Sequence, residues 1–148
     1  KGCAKSKVFS FKYNNITSLK NLFKKHEVAA VIMEPYVYET PNDNFLQAVK
    51  DECKENNALL IFDEVVTGFR VSPGGAQEHF GIKPDLTTMA KALSNGFTIS
   101  AVGGKKEIMD LLSPSGKVYQ ASTFAGNPIS VSAAIASIKT INKLKNKF

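Results

Sequence analysis

Two uninterrupted apolar runs of strand length, VAAVIM (28–33) and ALLIF (58–62), constrain the fold most. An amphipathic stretch precedes each. In ITSLKNLFKKH, Ile16, Leu19, Leu22 and Phe23 recur at helical spacing while Lys20, Lys24 and Lys25 face out. Asn14 or Asn15 stands ready to cap that helix. In NFLQAVKDECKENN, Leu46, Val49 and Cys53 share the inward side. A short run without polar residues predicts a strand buried on both faces. Helix and strand in alternation predict an α/β fold, a mainly parallel sheet with helices on both faces. Further on, PDLTTMAK reads as a third strand ending at Lys91, ISAVGG as a fourth, and KKEIMDLL as a short helix. Gly68, Pro73, Gly74 and Gly75 predict a loop. The stretch SPSGKVYQASTFAGNP is mostly loop, and Pro128 opens a long final helix with Asn127 as its cap.

The chain of 148 residues is long enough for one domain with a core, and 43% hydrophobic against 22% charged residues places it among soluble globular chains. No apolar run reaches membrane-spanning length. The chain opens on Lys1-Gly2-Cys3 with no initiating Met and no signal pattern, so we expect a piece of something longer. Cys3 and Cys53 form no close pair, which excludes a zinc knuckle or CxxC site within the chain. Cys53 is expected in the core, and two lone thiols suit a reducing, cytoplasmic setting. Much of the net charge of +6 lies near the ends, on Lys1, Lys5, Lys7, Lys12, Lys139, Lys143, Lys145 and Lys147. With one arginine, Arg70, and no aromatics interleaved on a basic face, the lysines read as solvated surface rather than a nucleic-acid or membrane-binding patch.

Ligands of open α/β sheets bind beyond the C-terminal strand ends. Three strands here end in functional groups: Glu34, the pair Asp63-Glu64, and Lys91. The stretch LLIFDEVVTGFR (59–70) admits three readings: a magnesium-holding strand of a phosphate-loop nucleotidase, a strand delivering one carboxylate to an organic cofactor, or a buried strand ending in charge. The first needs a GxxxxGK[ST] loop, and none occurs. Lysine and carboxylate on neighbouring strand ends suggest the second. A lysine amine forms a Schiff base with an aldehyde when neutral, which a desolvated strand end favours. A carboxylate beside a pyridine nitrogen keeps it protonated and makes the ring an electron sink. Pyridoxal 5′-phosphate carries both features plus a phosphate. Ser122 and Thr123, in a small-residue turn before a helix, supply hydroxyls for the phosphate.

Three segments, LLIFDEVVTGFR, PDLTTMAKALSNG and STFAGNP, resemble in this order the class III pyridoxal-phosphate aminotransferases of the aspartate-aminotransferase (type I) fold. GGAQEHFGIKPDLTTMAK most resembles glutamate-1-semialdehyde aminomutases and their relatives. Where that group carries a glycine triplet and a proline, Lys91 is followed by ALSNGFTIS, so aminotransferase and aminomutase both stay open. The resemblance implies that residues 1–148 form part of the large cofactor-binding domain, with a cofactor loop upstream and a small domain downstream. It implies that Lys91 is catalytic and holds pyridoxal phosphate, that Asp63 pairs with the pyridine nitrogen, and that Val65 packs on a ring face. It also implies that Thr123, with Ser122, serves the phosphate of the partner subunit in a homodimer, and that the substrate is a small amino donor or acceptor.

Simpler roles stand beside these. Asp63 could cap a loop, although a carboxylate after four buried residues needs a partner. Glu64 reads as structural, bonded to backbone or to Arg70. Ser122 and Thr123 alone are ordinary turn residues. Glu78 and His79, adjacent and without spaced companions, make a poor metal site. The remaining alternatives are an inactive binding module of the same fold and a nucleotidase using Asp63 and Glu64.

Overall fold

The computed structural model describes residues 7–145. Cys3, Lys1, Lys5 and Lys147 lie outside that range. The elements, in order, are α1 (Ile16–Phe23), β1 (Ala30–Met33), α2 (Phe45–Glu55), β2 (Leu59–Asp63), α3 (Gly75–His79), β3 (Leu86–Met89), a 3-10 turn (Lys91–Leu93), β4 (Ala101–Gly104), α4 (Lys106–Met109) and α5 (Pro128–Lys143). They form a four-stranded sheet in the order β1-β2-β3-β4. The first three strands are parallel, and β4 runs antiparallel to β3.

Asn15 caps α1, its side chain accepting the Ser18 N–H at 3.0 Å. Asn14 does other work from the left-handed region at φ 56°. Its Nδ2 donates to Glu39 Oε1 and to the Thr40 carbonyl, and its Oδ1 accepts from the Asn42 N–H. The loop after β1 is thereby tied to the head of α1.

Register builds the core. Val31 lies beside Leu60 and Met33 beside Phe62, and all four are buried. Leu19 of α1 and Phe45, Leu46, Val49 and Cys53 of α2 close over them. Full burial of side chains such as Phe62 and Leu60 contributes about 1.5–3 kcal/mol each. Burial pushes the Cys53 thiol up to about 12, with Asp85 and Glu52 adding to it, so Cys53 is a core residue. The other face of β1 departs from expectation: Ile32 is 61% exposed, because α1 and α2 both lie on the Val31 side.

Asp85 fixes the heads of the strands. Its Oδ2 accepts the Leu60 N–H at 2.7 Å, its own N–H donates to the Leu60 carbonyl, and its Oδ1 pairs with Lys105 at 2.6 Å, just past β4. Three differences from the sequence reading bear on the site. The segment expected as loop contains α3, β4 begins at Ala101 rather than Ile99, and β3 stops at Met89, two residues short of Lys91.

Candidate active site

Because β1, β2 and β3 are adjacent and parallel, Glu34, the Asp63-Glu64 pair and the turn holding Lys91 share one sheet edge. Asp63 is the last residue of β2 and is half-buried. Its Oδ1 accepts the Val65 N–H at 3.0 Å and the Thr88 hydroxyl at 3.1 Å. Both donors meet one oxygen, which leaves Oδ2 outside this network. Val65 follows at the strand end and is also half-buried.

Glu64, the residue after Asp63, is fully buried. Its carboxylate accepts from the Thr67 hydroxyl, from the N–H groups of Ala76 and Gln77, and from Gln77 Nε2. Of the two partners expected for it, backbone and Arg70, the structure gives backbone; Arg70 donates to the Val66 carbonyl. Backbone donors were closer to hand: α3 begins against the strand end and presents its unpaired N–H groups to the carboxylate.

Lys91 opens the 3-10 turn with φ 42°, a left-handed conformation that costs a non-glycine residue roughly 1–3 kcal/mol. Its carbonyl accepts from the N–H groups of Ser94 and Asn95, which over-determines the turn. The side chain is exposed, not partly buried as the sequence suggested. It lines a cleft of about 620 Å³ with Gly96, Phe97, Ser100, Gln120 and Ser122, within the ~300–1,000 Å³ range of small-molecule sites.

Ser122 and Thr123 sit in the turn before α5, which Asn127 caps by accepting from Ile129 and Ser130. Ser122 lines the cleft; Thr123 is exposed and is not among its lining residues, nor are Asp63 and Val65. Lys91 and Ser122 thus meet at one cavity, while Asp63 stands on the same sheet edge, joined through Thr88 of β3. Glu78, next to His79, is occupied locally: the Ser72 hydroxyl and the Gly74 N–H hold its carboxyl below the usual value. Sequence reasoning missed Thr88, Phe97 and Gln120. Thr88 was within reach, since parallel register sets it across from Asp63; the other two lie in stretches whose course is fixed only by tertiary packing.

The sequence model of the family described as aminotransferase class-III matches residues 5–147. The glutamate-1-semialdehyde 2,1-aminomutase of Nitrosopumilus maritimus is 74% identical over 140 residues, covering 91% of this chain and 33% of the relative. That of Archaeoglobus fulgidus is 50% identical over 131 residues, covering 86% and 31%. Among solved structures, a β-phenylalanine aminotransferase from Variovorax paradoxus superposes with a TM-score of 0.80 at 30% identity, covering 86% of this chain and 31% of the other. A structure described as a transaminase with PLP bound gives 0.81 at 29% identity, covering 88% and 32%. The chain therefore spans about a third of the length of the relatives it matches. The strand ending at Asp63, the turn that Lys91 opens and the small-residue turn before α5 occur here in one fold and one order, and the chain belongs to the class III aminotransferases.

Proposed function

We propose that this chain is part of the cofactor-binding domain of a pyridoxal-phosphate enzyme that moves amino groups, with residues 1–148 supplying the lysine, the pyridine-facing carboxylate and a phosphate-binding turn. One observation carries the reading: parallel register sets Asp63 of β2 across from β3, and Lys91, just past the end of β3, opens into the same cleft as Ser122. The cleft gathers amine, hydroxyl and aromatic groups around Lys91, and Asp63 stands beyond its lining on the same sheet edge. When bound, pyridoxal phosphate supplies an electron-withdrawing ring that takes up the electron pair left by a departing substrate proton. Asp63 would place a negative charge at the ring nitrogen and so hold a proton there. Val65 would pack on the ring. Lys91 would hold the cofactor through Nζ, and the same amine would take and return a proton at the substrate carbon. Thr123, with Ser122, would serve the phosphate of the cofactor of a second subunit in a homodimer; both hydroxyls are exposed.

Identity of 74% to a glutamate-1-semialdehyde 2,1-aminomutase favours that reaction over transfer to an external acceptor. The setting is cytoplasmic in this reading; among the described residues no helix is long and apolar enough to cross a membrane. The test uses the complete enzyme containing this chain. With pyridoxal phosphate it is expected to give a borohydride-trapped adduct that peptide mapping places on Lys91, and to move the amino group of glutamate-1-semialdehyde from carbon 2 to carbon 1 without an added amino donor. Trapping at Lys83 or Lys105 overturns the site; a strict need for an external donor and acceptor replaces the aminomutase with an aminotransferase.

A further inference from the structure

We propose that Glu64 is a positioning residue whose buried carboxylate locks the turn that holds Asp63 and Val65 in place; this rests on the reading of Asp63 given above. A buried carboxylate without a nearby cation is costly unless hydrogen bonds satisfy it. Glu64 is fully buried and meets four donors, all from residues 67–77. Its Oε2 takes the Thr67 hydroxyl at 2.9 Å and the Ala76 N–H; its Oε1 takes the Gln77 N–H at 3.0 Å and Gln77 Nε2 at 3.1 Å. Gln77 Nε2 also reaches Thr87 Oγ1 of β3 at 3.2 Å. The backbone closes the same turn: the Gly68 N–H donates to the Glu64 carbonyl at 2.8 Å, and the Glu64 N–H to the Thr88 carbonyl at 2.9 Å.

Two glycines make room for this. Gly75 has φ 75°, and a Cβ there would collide with the Glu64 carboxylate; a Cβ at Gly68 would lie 2.7 Å from the Glu64 carbonyl oxygen. The segment 64–77 is thus folded around one side chain. Asp63 and Val65 flank that side chain in sequence, and the Val65 N–H is one of only two donors in the Asp63 Oδ1 network. Loosening Glu64 therefore frees Val65 and removes a restraint on Asp63, with no contact between Glu64 and the cleft.

Glu64→Gln is the sharp variant. It keeps the shape but turns one acceptor into an N–H₂ group facing N–H donors, so at least one buried donor loses its partner. In the complete enzyme, amide exchange is followed with and without pyridoxal phosphate. The expected result is exchange about tenfold faster or more at Val65 as well as at Ala76 and Gln77. With cofactor bound to equal occupancy, kcat is expected to fall about tenfold with KM within about twofold, and the visible circular-dichroism band per bound cofactor to weaken. Acceleration confined to Ala76 and Gln77, with kcat and the band unchanged, overturns the proposal and leaves Glu64 as an anchor for α3 alone. If Glu64→Gln fails to fold, Thr67→Val, which removes one donor to Oε2, must produce the same pattern in weaker form; an unaltered Val65 amide there overturns it too. A wild-type enzyme that gains no visible band with the cofactor defeats the functional reading, and the exchange at Val65 without cofactor then decides the clamp separately.

Discussion

Thr88 stands directly across from Asp63 in the parallel register of β2 and β3, and its hydroxyl donates to Asp63 Oδ1 at 3.1 Å. The same oxygen takes the Val65 N–H at 3.0 Å. The carboxylate that ends β2 is therefore held by its own turn and by the next strand.

Asp63→Asn separates aim from charge. The amide oxygen still accepts from Val65 and Thr88, so the local geometry survives. What disappears is the negative charge proposed to hold a proton on the ring nitrogen. We expect the complete variant enzyme to bind pyridoxal phosphate and show its visible absorbance, yet to turn over about 100-fold slower or worse, as when a preorganised electrostatic group is lost. Near-normal turnover with cofactor in excess would remove Asp63 from the site. A magnesium-holding role predicts the reverse, intact cofactor chemistry and a defect in nucleotide binding.

Lys91 carries chemistry and strain at one position. Lys91→Ala removes the amine and keeps the strained φ of 42°, whereas Lys91→Gly removes both. Loss of a proton-transferring group lowers turnover by about 10²–10⁴-fold, and both variants should lose borohydride trapping. Their stabilities should differ: glycine relieves about 1–2 kcal/mol of left-handed strain and costs about 0.4–1 kcal/mol in unfolded-chain entropy. Denaturant titration should thus find Lys91→Gly more stable than Lys91→Ala by up to about 1.6 kcal/mol. Equal or reversed stabilities would mean that the turn relaxes once the lysine is gone.

How far the sequence discloses this architecture depends on which residues one asks about. The alternation of amphipathic and apolar stretches locates α1, β1, α2 and β2, since each pattern has a single period. It does not say which face of β1 is covered, because a run such as VAAVIM looks the same whether one face is packed or two; α1 and α2 both choose the Val31 side. The glycines at 74 and 75 read as breakers, yet they open α3, and Gly75 is needed there because the Glu64 carboxylate occupies the space of a Cβ. That contact joins residues 11 apart and has no local signature. The site follows the same division. Asp63, Lys91 and Ser122 stand out as chemistry at element ends, whereas Thr88 becomes visible only through register, and the exposure of Lys91 only through the turn that carries it.

Asp85 gives the fold a pH dependence with a definite sign. Burial acts to raise its carboxyl, but the Lys105 pair and the Leu60 N–H together outweigh burial and hold it below its ordinary value of 3.8. A carboxyl lowered in the folded state stabilises fully above its unfolded value, and that contribution is lost as pH falls through the folded value. Wild type should exceed Asp85→Asn by a constant margin of about 1 kcal/mol between pH 5 and 8, the scale of a partly exposed pair with a hydrogen bond to backbone. The margin should shrink below pH 3.8. A margin that widens with acid would assign the stabilising role to another group.

Thr123 tests whether the site belongs to one chain or two. It adjoins Ser122; both are exposed, and of the two only Ser122 lines the cleft with Lys91. If its hydroxyl donates to the phosphate held by a second subunit, Thr123→Ala removes a hydrogen bond to a charged group, about 1.5–3 kcal/mol. Cofactor affinity should then fall about ten- to a hundredfold, while lysine trapping survives at saturating cofactor. Mixed dimers decide the geometry. With Lys91→Ala on one chain and Thr123→Ala on the other, the intact lysine belongs to the chain carrying the Thr123 change, and its phosphate is served by the intact Thr123 of its partner. Such a dimer should keep one site of wild-type affinity and about half the wild-type turnover per dimer. Affinity equal to that of the Thr123→Ala homodimer would place the contact within a single chain, and exposure of Thr123 outside its own cleft would then have another cause.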